Sequence, residues 1–310
     1  MYPKDYLEII SDICQKNNIH IQSFNDTSIL RLSYNSQYHY IWSRRFDLNS
    51  SLSSRIADNK YETYIVLNSL DIPVVNCHRM SRVETEEYES SPYSNIDICL
   101  SLLKQYKSIV IKPNNSYEGT DVYKCSSIKE IEKVLTEIGE KYKFLVASPY
   151  INAANEYRIF YLNNEILLVY EKNLPFIIAD GHSTVSEILM KEKHDLTKLD
   201  PQLFTKLNEI YPKGQKIFIN WKFNLSQGST CKIVTNQELI FKLSTIAIDA
   251  ANAIGISFAT IDILKDQNGV FKVLEINAGV AMDQFIQQVH HGKKIATAIY
   301  EKAILSMFSR

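Results

Sequence analysis

Apolar residues recur every three to four positions at Tyr6, Ile9, Ile10, Ile13 and Cys14, which predicts a helix with one buried face. Short runs rich in β-branched and aromatic residues follow at Ile19 to Phe24, Ile29 to Tyr34 and Tyr38 to Trp42, so a small α/β lobe opens the chain. The Ser-rich stretch 49–55 leads to a second helix, with Asp58 as its expected cap and Lys60 in its first turn, stopping near Leu70 before Ile72-Pro73. A lysine at a helix start opposes the macrodipole, so Lys60 has either a task or a solvated side chain.

Residues 81–95 are polar and acidic and read as a surface loop, after which Ser94 is the expected cap of a helix over Ile96, Leu100 and Leu103. A strand at 108–112 and a polar turn at 113–121 precede a helix with Ile128, Ile131, Val134, Leu135 and Ile138 on one face, opened by a Ser127/Glu130 capping box and closed by Gly139. Phe144 to Ile151 reads as a strand, and two further runs flank Asn163-Asn164 as a tight hairpin. Thr184 to Lys191 reads as a short helix, whereas 192–216 carries no clear element. A long helix through Leu239, Leu243, Ala247, Ala250 and Ile254 then leads to strands at 258–264 and 270–277 joined by a turn at 266–269.

Composition adds exclusions. At 310 residues the chain has room for about two domains and a large core. With 34 basic and 35 acidic residues the net charge is −1, so no overall positive field gathers nucleic acid, and no nucleic-acid partner is expected. Asp5 and Glu8 fall where a signal peptide wants positive charge, and the longest apolar stretch is cut by Asp249, Asn252 and Asp262, so no membrane partner is expected either. Cys14, Cys77, Cys99, Cys125 and Cys231 form no C-x-x-C pair, which points to small core residues in a reducing cytoplasm. Cys125 and Cys231 have no local partner that would activate a thiol, and His290-His291, placed on a helix, would diverge by about 100°.

Three constellations carry chemistry. If residues 260 and 275 face each other in the last hairpin, Asp262 lies diagonal to Glu275 with Asn277 on the same face. Such hard oxygen donors suit magnesium held together with a nucleotide, although a solvated sheet face shows the same alternation. Lys112 ends a strand before a small polar loop containing Gly119, an arrangement for phosphate or an ordinary strand and turn. Third, the connector after 144–151 offers backbone groups to an adenine edge, with Glu156 for ribose hydroxyls and Arg158 for phosphate or carboxylate oxygens; a plain surface pair is the alternative.

In order and spacing, Lys60 with IPVV (72–75), IVIKP to Gly119, ASPYI to EYR (147–158), LPFIIADGHSTVSEIL (174–189), NLSQGST (224–230) and IDIL to VLEIN (261–277) resemble the ATP-grasp superfamily. The resemblance covers about residues 57 to 290 and is strongest to ligase modules of the cyanophycin synthetase and bifunctional glutathione synthetase type. It implies an α/β (α+β) ATP-grasp fold with a nucleotide between two α+β subdomains: an N-terminal α/β lobe at 1–56, a central subdomain with the flap at 57–150 and a C-terminal subdomain with the metal site at 151–310.

It also implies roles. Lys60 and Lys112 would hold phosphates, Ser116 to Gly119 would form a flap, Ser148 to Ile151 including Tyr150 would be the adenine hinge, and Glu156 would bind ribose. Asp262, Glu275 and Asn277 would hold magnesium, two ions bridged by Glu275, with manganese an alternative. Arg158 and Lys222 would face the transferred phosphate or the acyl oxygen. The implied activity is ATP-dependent ligation of a small-molecule carboxylate to an amine, amino acids or short peptides being favoured, through an acyl phosphate. A phosphotransferase and a non-catalytic nucleotide-binding regulatory module are the competing readings, and a homodimer is compatible with the sequence. The chain departs from the family pattern at Asp121 (a second flap glycine), Asn220 (an arginine) and Ile233 (an aspartate).

Overall fold

The computed structural model describes residues 4–24, 29–81, 95–116 and 119–309; the acidic stretch from 82, Ser94 and flap residues 117 and 118 lie outside the described residues. Helix α1 (Lys4–Lys16) covers an antiparallel sheet of β1 (His20–Phe24), β2 (Ile29–Tyr34), β3 (Gln37–Trp42) and β4 (Arg45–Phe46). Helices α2 (Ser51–Ala57) and α3 (Lys60–Ser69) lead to a second sheet of β5 (His78–Ser81), β6 (Ile109–Pro113), β7 (Tyr123–Cys125) and β8 (Phe144–Pro149), in the order β5-β8-β6-β7. Helices α4 (Asn95–Tyr106) and α5 (Ile128–Gly139) pack on it around Met80, Ile109, Ile111, Ile131 and Ile138.

The third sheet joins β9 (Ala153–Leu162), β10 (Glu165–Asn173), β13 (Thr230–Ile233), β14 (Phe258–Asp266) and β15 (Phe271–Asn277) in the order β13-β10-β9-β14-β15. Between β10 and β13 a satellite of ribbon β11 (Phe176–Ile178) and β12 (Lys216–Phe218) with helix α6 (Val185–Lys191) has its own small core. One face of the third sheet packs through Tyr157, Ile159, Ile261, Ile263 and Ile276 on α7 (Gln237–Ile254). The other face packs its Phe160, Leu168 and Phe258 end on α1 and on α9 (Gly292–Phe308), which follows the short α8 (Asp283–Gln288). Each fully buried aliphatic side chain in these cores contributes about 1.5–3 kcal/mol.

Four local expectations are corrected. Residues 51–57 form a helix rather than an approach to one, because Ser50 Oγ accepts the Ser53 N–H at 3.0 Å and serves as its cap. Asp58 therefore ends α2, and Asn59 caps α3 by accepting from the Glu62 N–H at 3.0 Å. Glu130 reaches back to the Ser126 N–H at 2.6 Å, one residue beyond a standard capping box, and Gly139 is the last residue of α5 with Glu140 as its cap. His290 and His291 sit in the break between α8 and α9, not on a helix, with His291 in the left-handed region at φ 59°. The Asn163-Asn164 turn forms as expected, both residues adopting positive φ (45° and 66°), which asparagine tolerates well.

Candidate functional site

Strand register builds the site. Arg158 on β9 pairs with Tyr170 on one side and Asp262 on the other, and Asp262 pairs in turn with Glu275, so four side chains form a row across β10, β9, β14 and β15. The neighbouring rows place Glu156 beside Lys172 and Thr260 beside Asn277. Asp262 is thus directly opposite Glu275 and not diagonal to it; a bulge after Asp262 shifts the pairing to Ile263 with Val273. This polar half of the sheet face continues the apolar half that packs on α1 and α9, and it lines a cavity of about 750 Å³.

Four of these groups form a buried ion cluster. Arg158 donates from Nε and Nη2 to the two oxygens of Asp262 at 2.7 and 2.6 Å. Lys172 Nζ bridges Asp262 at 2.8 Å and Glu156 at 2.6 Å, although it is only 4% exposed. Burial alone would raise the Asp262 carboxyl, but Arg158 and Lys172 outweigh it and hold that group well below the usual carboxylate range. Burial opposes the charge on Lys172 as well, yet Asp262 and Glu156 keep it protonated. Glu156 is pushed up, by burial first. Glu275 stands outside this cluster and accepts from Asn277 Nδ2 at 3.1 Å.

Across the cavity, Lys112 lies on β6 and Ser148 is its near neighbour on β8, where Lys112 pairs with Val146. Asn114, 1% exposed, ties the loop after β6 to α3: its Oδ1 accepts from the Tyr61 N–H at 3.1 Å and its Nδ2 donates to Asn59 Oδ1 at 2.9 Å. Lys60 follows and donates to the Ser116 carbonyl at 2.8 Å, so it is fixed beside the start of the flap rather than solvated. Burial pulls its pKa down to about 8, with Glu275 opposing and Lys112 reinforcing that shift. The linked proton gives a testable sign. A phosphate contact from Lys60 would need the charged ammonium, so on that assignment ATP affinity measured by calorimetry should fall as pH rises through about 8, by at most about tenfold per pH unit, and Lys60→Arg should flatten the profile.

Gly119 adopts φ +71°, which favours glycine, and a Cβ there would come within 2.9 Å of Asn224 Nδ2, so Gly119 rests against the 224–227 turn. Asp121 takes the left-handed conformation at φ 52°, which aspartate tolerates, and its carboxylate accepts the Tyr142 hydroxyl at 2.6 Å and the Tyr123 hydroxyl at 3.3 Å. Lys222 is half-buried beside the Trp221 ring, which meets Tyr150 edge to face at 5.6 Å; burial lowers its pKa while Asp200 and Asp121 oppose. That puts Lys222 on the cavity wall next to Tyr150. Asn220 donates to the Lys198 carbonyl at 2.6 Å, and Ile233 packs against the core on the β10 edge, so neither departure from the family pattern borders the cavity. Lys172 escaped the sequence reading, because within β10 it is one more polar residue in an alternating strand.

No protein-family model matches the chain. A bifunctional glutathione synthetase from Pasteurella multocida superposes with a TM-score of 0.58 over 96% of this chain and 44% of its own, at 17% identity. The fold is that of the ATP-grasp ligases. A D-alanine–D-alanine ligase from Bacillus anthracis complexed with ATP shares the ATP-grasp fold at a TM-score of 0.54, with 14% identity over 84% of this chain and 72% of its own. In sequence, the glutathione biosynthesis bifunctional protein of Streptococcus mutans is 23% identical over 283 residues, 83% of this chain. The chain spans 35% of that relative's length.

Proposed function

We propose that this chain is an ATP-dependent carboxylate–amine ligase that activates a carboxylate as an acyl phosphate. The observation that carries the reading is one cavity with Lys60 and Lys112 on one wall and the registered set Asp262, Glu275 and Asn277 on the other. The donors suit a hard cation: two carboxylates and an amide oxygen, with the Glu275 oxygens outside the ion cluster. Among the described residues no group of three or more His, Cys, Asp or Glu side chains is placed to hold a metal ion by itself, so nucleotide phosphate and water oxygens would have to complete the shell. Asp262, Glu275 and Asn277 would hold magnesium, two ions, or manganese, and the metal would supply charge neutralisation on the phosphates.

Ser148 to Ile151 would border the adenine, Glu156 would meet the ribose through the carboxylate oxygen not given to Lys172, and Lys60 and Lys112 would hold the phosphates. A carboxylate oxygen of the substrate then attacks the γ-phosphorus as the β,γ-bridging oxygen leaves with ADP. The amine nitrogen next attacks the acyl carbon, the bond to the phosphate oxygen breaks, and the amine loses a proton as phosphate departs. Arg158 offers positive charge from the sheet face and Lys222 from the opposite wall, while the flap excludes water from the acyl phosphate. The alanine-ligase and glutathione-synthetase names of the structural neighbours favour amino acids or short peptides as substrates.

Deleting the charge on Lys112 while keeping the stem, as in Lys112→Met, should weaken ATP binding about ten- to a hundredfold, or about 1.5–3 kcal/mol, by calorimetry. The proposed reaction is tested by an ADP-release screen of amino-acid and dipeptide pairs with products identified by mass. ADP release that rises on adding an amine, with a hydroxamate when hydroxylamine replaces it, supports the reading. A stable phosphorylated acid with no response to any amine points instead to a phosphotransferase.

A further inference from the structure

Beyond Asn277 the cavity runs past the groups assigned to nucleotide and metal. Along β14, Leu264, Asp262 and Thr260 step away from the hinge, about 13 Å from first to last, and the chain after Asn277 carries the cavity wall on through Gly279 to Asp283. That far end is roofed by the tip of the β3–β4 hairpin, Ser43 to Arg45, inserted from the N-terminal lobe.

The tip is held in a fixed pose. Ser43 turns the chain at φ 55°, and its carbonyl accepts from the Tyr6 hydroxyl at 3.4 Å. The Val280 N–H donates to the Arg44 carbonyl at 2.9 Å, and Arg44 Nη2 reaches Asp283 at 2.5 Å. Arg45 donates to Asp58 at 2.8 Å, and its Cγ lies 3.9 Å from where a Cβ on Gly279 would be. Two consecutive arginines thus line the cavity beyond the reacting centre. A guanidinium carries five N–H donors. Among the described residues the Arg44 guanidinium, which packs over the Tyr6 ring at 5.9 Å, gives a hydrogen bond to Asp283 alone; its Nε is closed off, so the Nη groups are the donors left for a ligand.

Resting on the ligase reading above, we infer that Arg44, with Arg45 beside it, binds a carboxylate of the substrate remote from the reacting centre. The planar fork of arginine matches a carboxylate in two parallel hydrogen bonds, whereas the lysines across the cavity serve as point charges for phosphate. The enzyme then takes substrates with a free α- or C-terminal carboxylate, carried by either the acid or the amine partner, and rejects their carboxamides, which cannot accept a bidentate pair from arginine.

The test uses the full chain loaded with ATP and magnesium, with L-amino acids and dipeptides in the amine role presented as free carboxylates and as C-terminal carboxamides, and in the acid role only acids with two carboxylates, such as glutamate, aspartate and their dipeptides, amidated at the carboxylate that does not react. Thermal stabilisation reads binding, and ADP release reads KM and kcat. A free carboxylate should stabilise the protein and its carboxamide should not, with KM raised at least tenfold by amidation in one of the two roles, which names the partner that carries the group. Arg44→Gln should raise KM for the free carboxylate by the same factor and erase the preference, and Arg44→Lys should restore part of it. Asp283→Asn breaks the same ion pair but spares Arg44, so it should keep the preference. The inference is overturned if carboxamides serve as well as carboxylates, if no free carboxylate stabilises the protein more than its amide, or if Asp283→Asn reproduces the Arg44→Gln loss. Calorimetry on the wild type separates the two levels: absent ATP binding strikes the ligase reading, whereas intact ATP binding with no carboxylate preference strikes this inference alone.

Discussion

Glu275→Gln should abolish turnover while leaving the fold intact. The substitution keeps the volume and the acceptor for Asn277 but removes the one carboxylate of the row that stands outside the Arg158–Asp262–Lys172–Glu156 cluster. Removing one pre-organised group that stabilises developing charge costs about a hundred- to a thousandfold in rate, and Glu275 would act through the cation it holds. We expect at least that drop in ADP release at saturating ATP and magnesium, with the thermal midpoint little changed because Glu275 is only half-buried. Rates near wild type would remove Glu275 from the metal assignment. Asp262→Asn is a poorer probe, since it strands two buried cations and so perturbs the fold together with the site.

The second large effect is on stability. Lys172→Met should destabilise the protein by about 3–5 kcal/mol at neutral pH, the cost of removing one partner from a buried ion pair. Glu156, 8% exposed, loses its cation, and Asp262 keeps Arg158 alone. The pH dependence has a definite sign. Without Lys172 the carboxyl of Glu156, already raised by burial, rises further, so the folded variant binds a proton that the unfolded chain gives up near the ordinary glutamate value. The stability deficit should therefore shrink as pH falls from 7 towards 5, and Lys172→Met combined with Glu156→Gln should recover part of it. Denaturant unfolding at the two pH values measures both; a loss under about 1 kcal/mol would mean that the cluster is solvated.

Signals confined to a few neighbouring residues were legible in the sequence. The Asn163-Asn164 turn, the short helix beginning at Thr184, and the periodicity of α1 and α7 are written in adjacent positions and reappear in the structure. The Ser-rich start of α2 was not, because serine favours loops on average and the bonds that recruit Ser50 and Ser53 to a cap exist only once the helix forms. Residues that meet only through register were the hardest. The β14–β15 register, set by the turn together with a bulge after Asp262, places Asp262 opposite Glu275, and Lys172 finds Glu156 sixteen positions away in the chain, through the β9–β10 pairing. Arg44 and Arg45 look like turn residues of a separate lobe until the hairpin tip is seen against Val280 and Asp283.

The central claim is that a carboxylate becomes an acyl phosphate in this cavity, and the fate of one oxygen atom tests it most directly. With the acid identified by ADP release and its carboxylate labelled with oxygen-18, each amide formed should deliver one labelled oxygen to inorganic phosphate, because the bond that breaks joins the acyl carbon to the oxygen that attacked the γ-phosphorus. Mass spectrometry of the released phosphate reads the transfer. One label per amide is the result predicted; amide formation with unlabelled phosphate would contradict it.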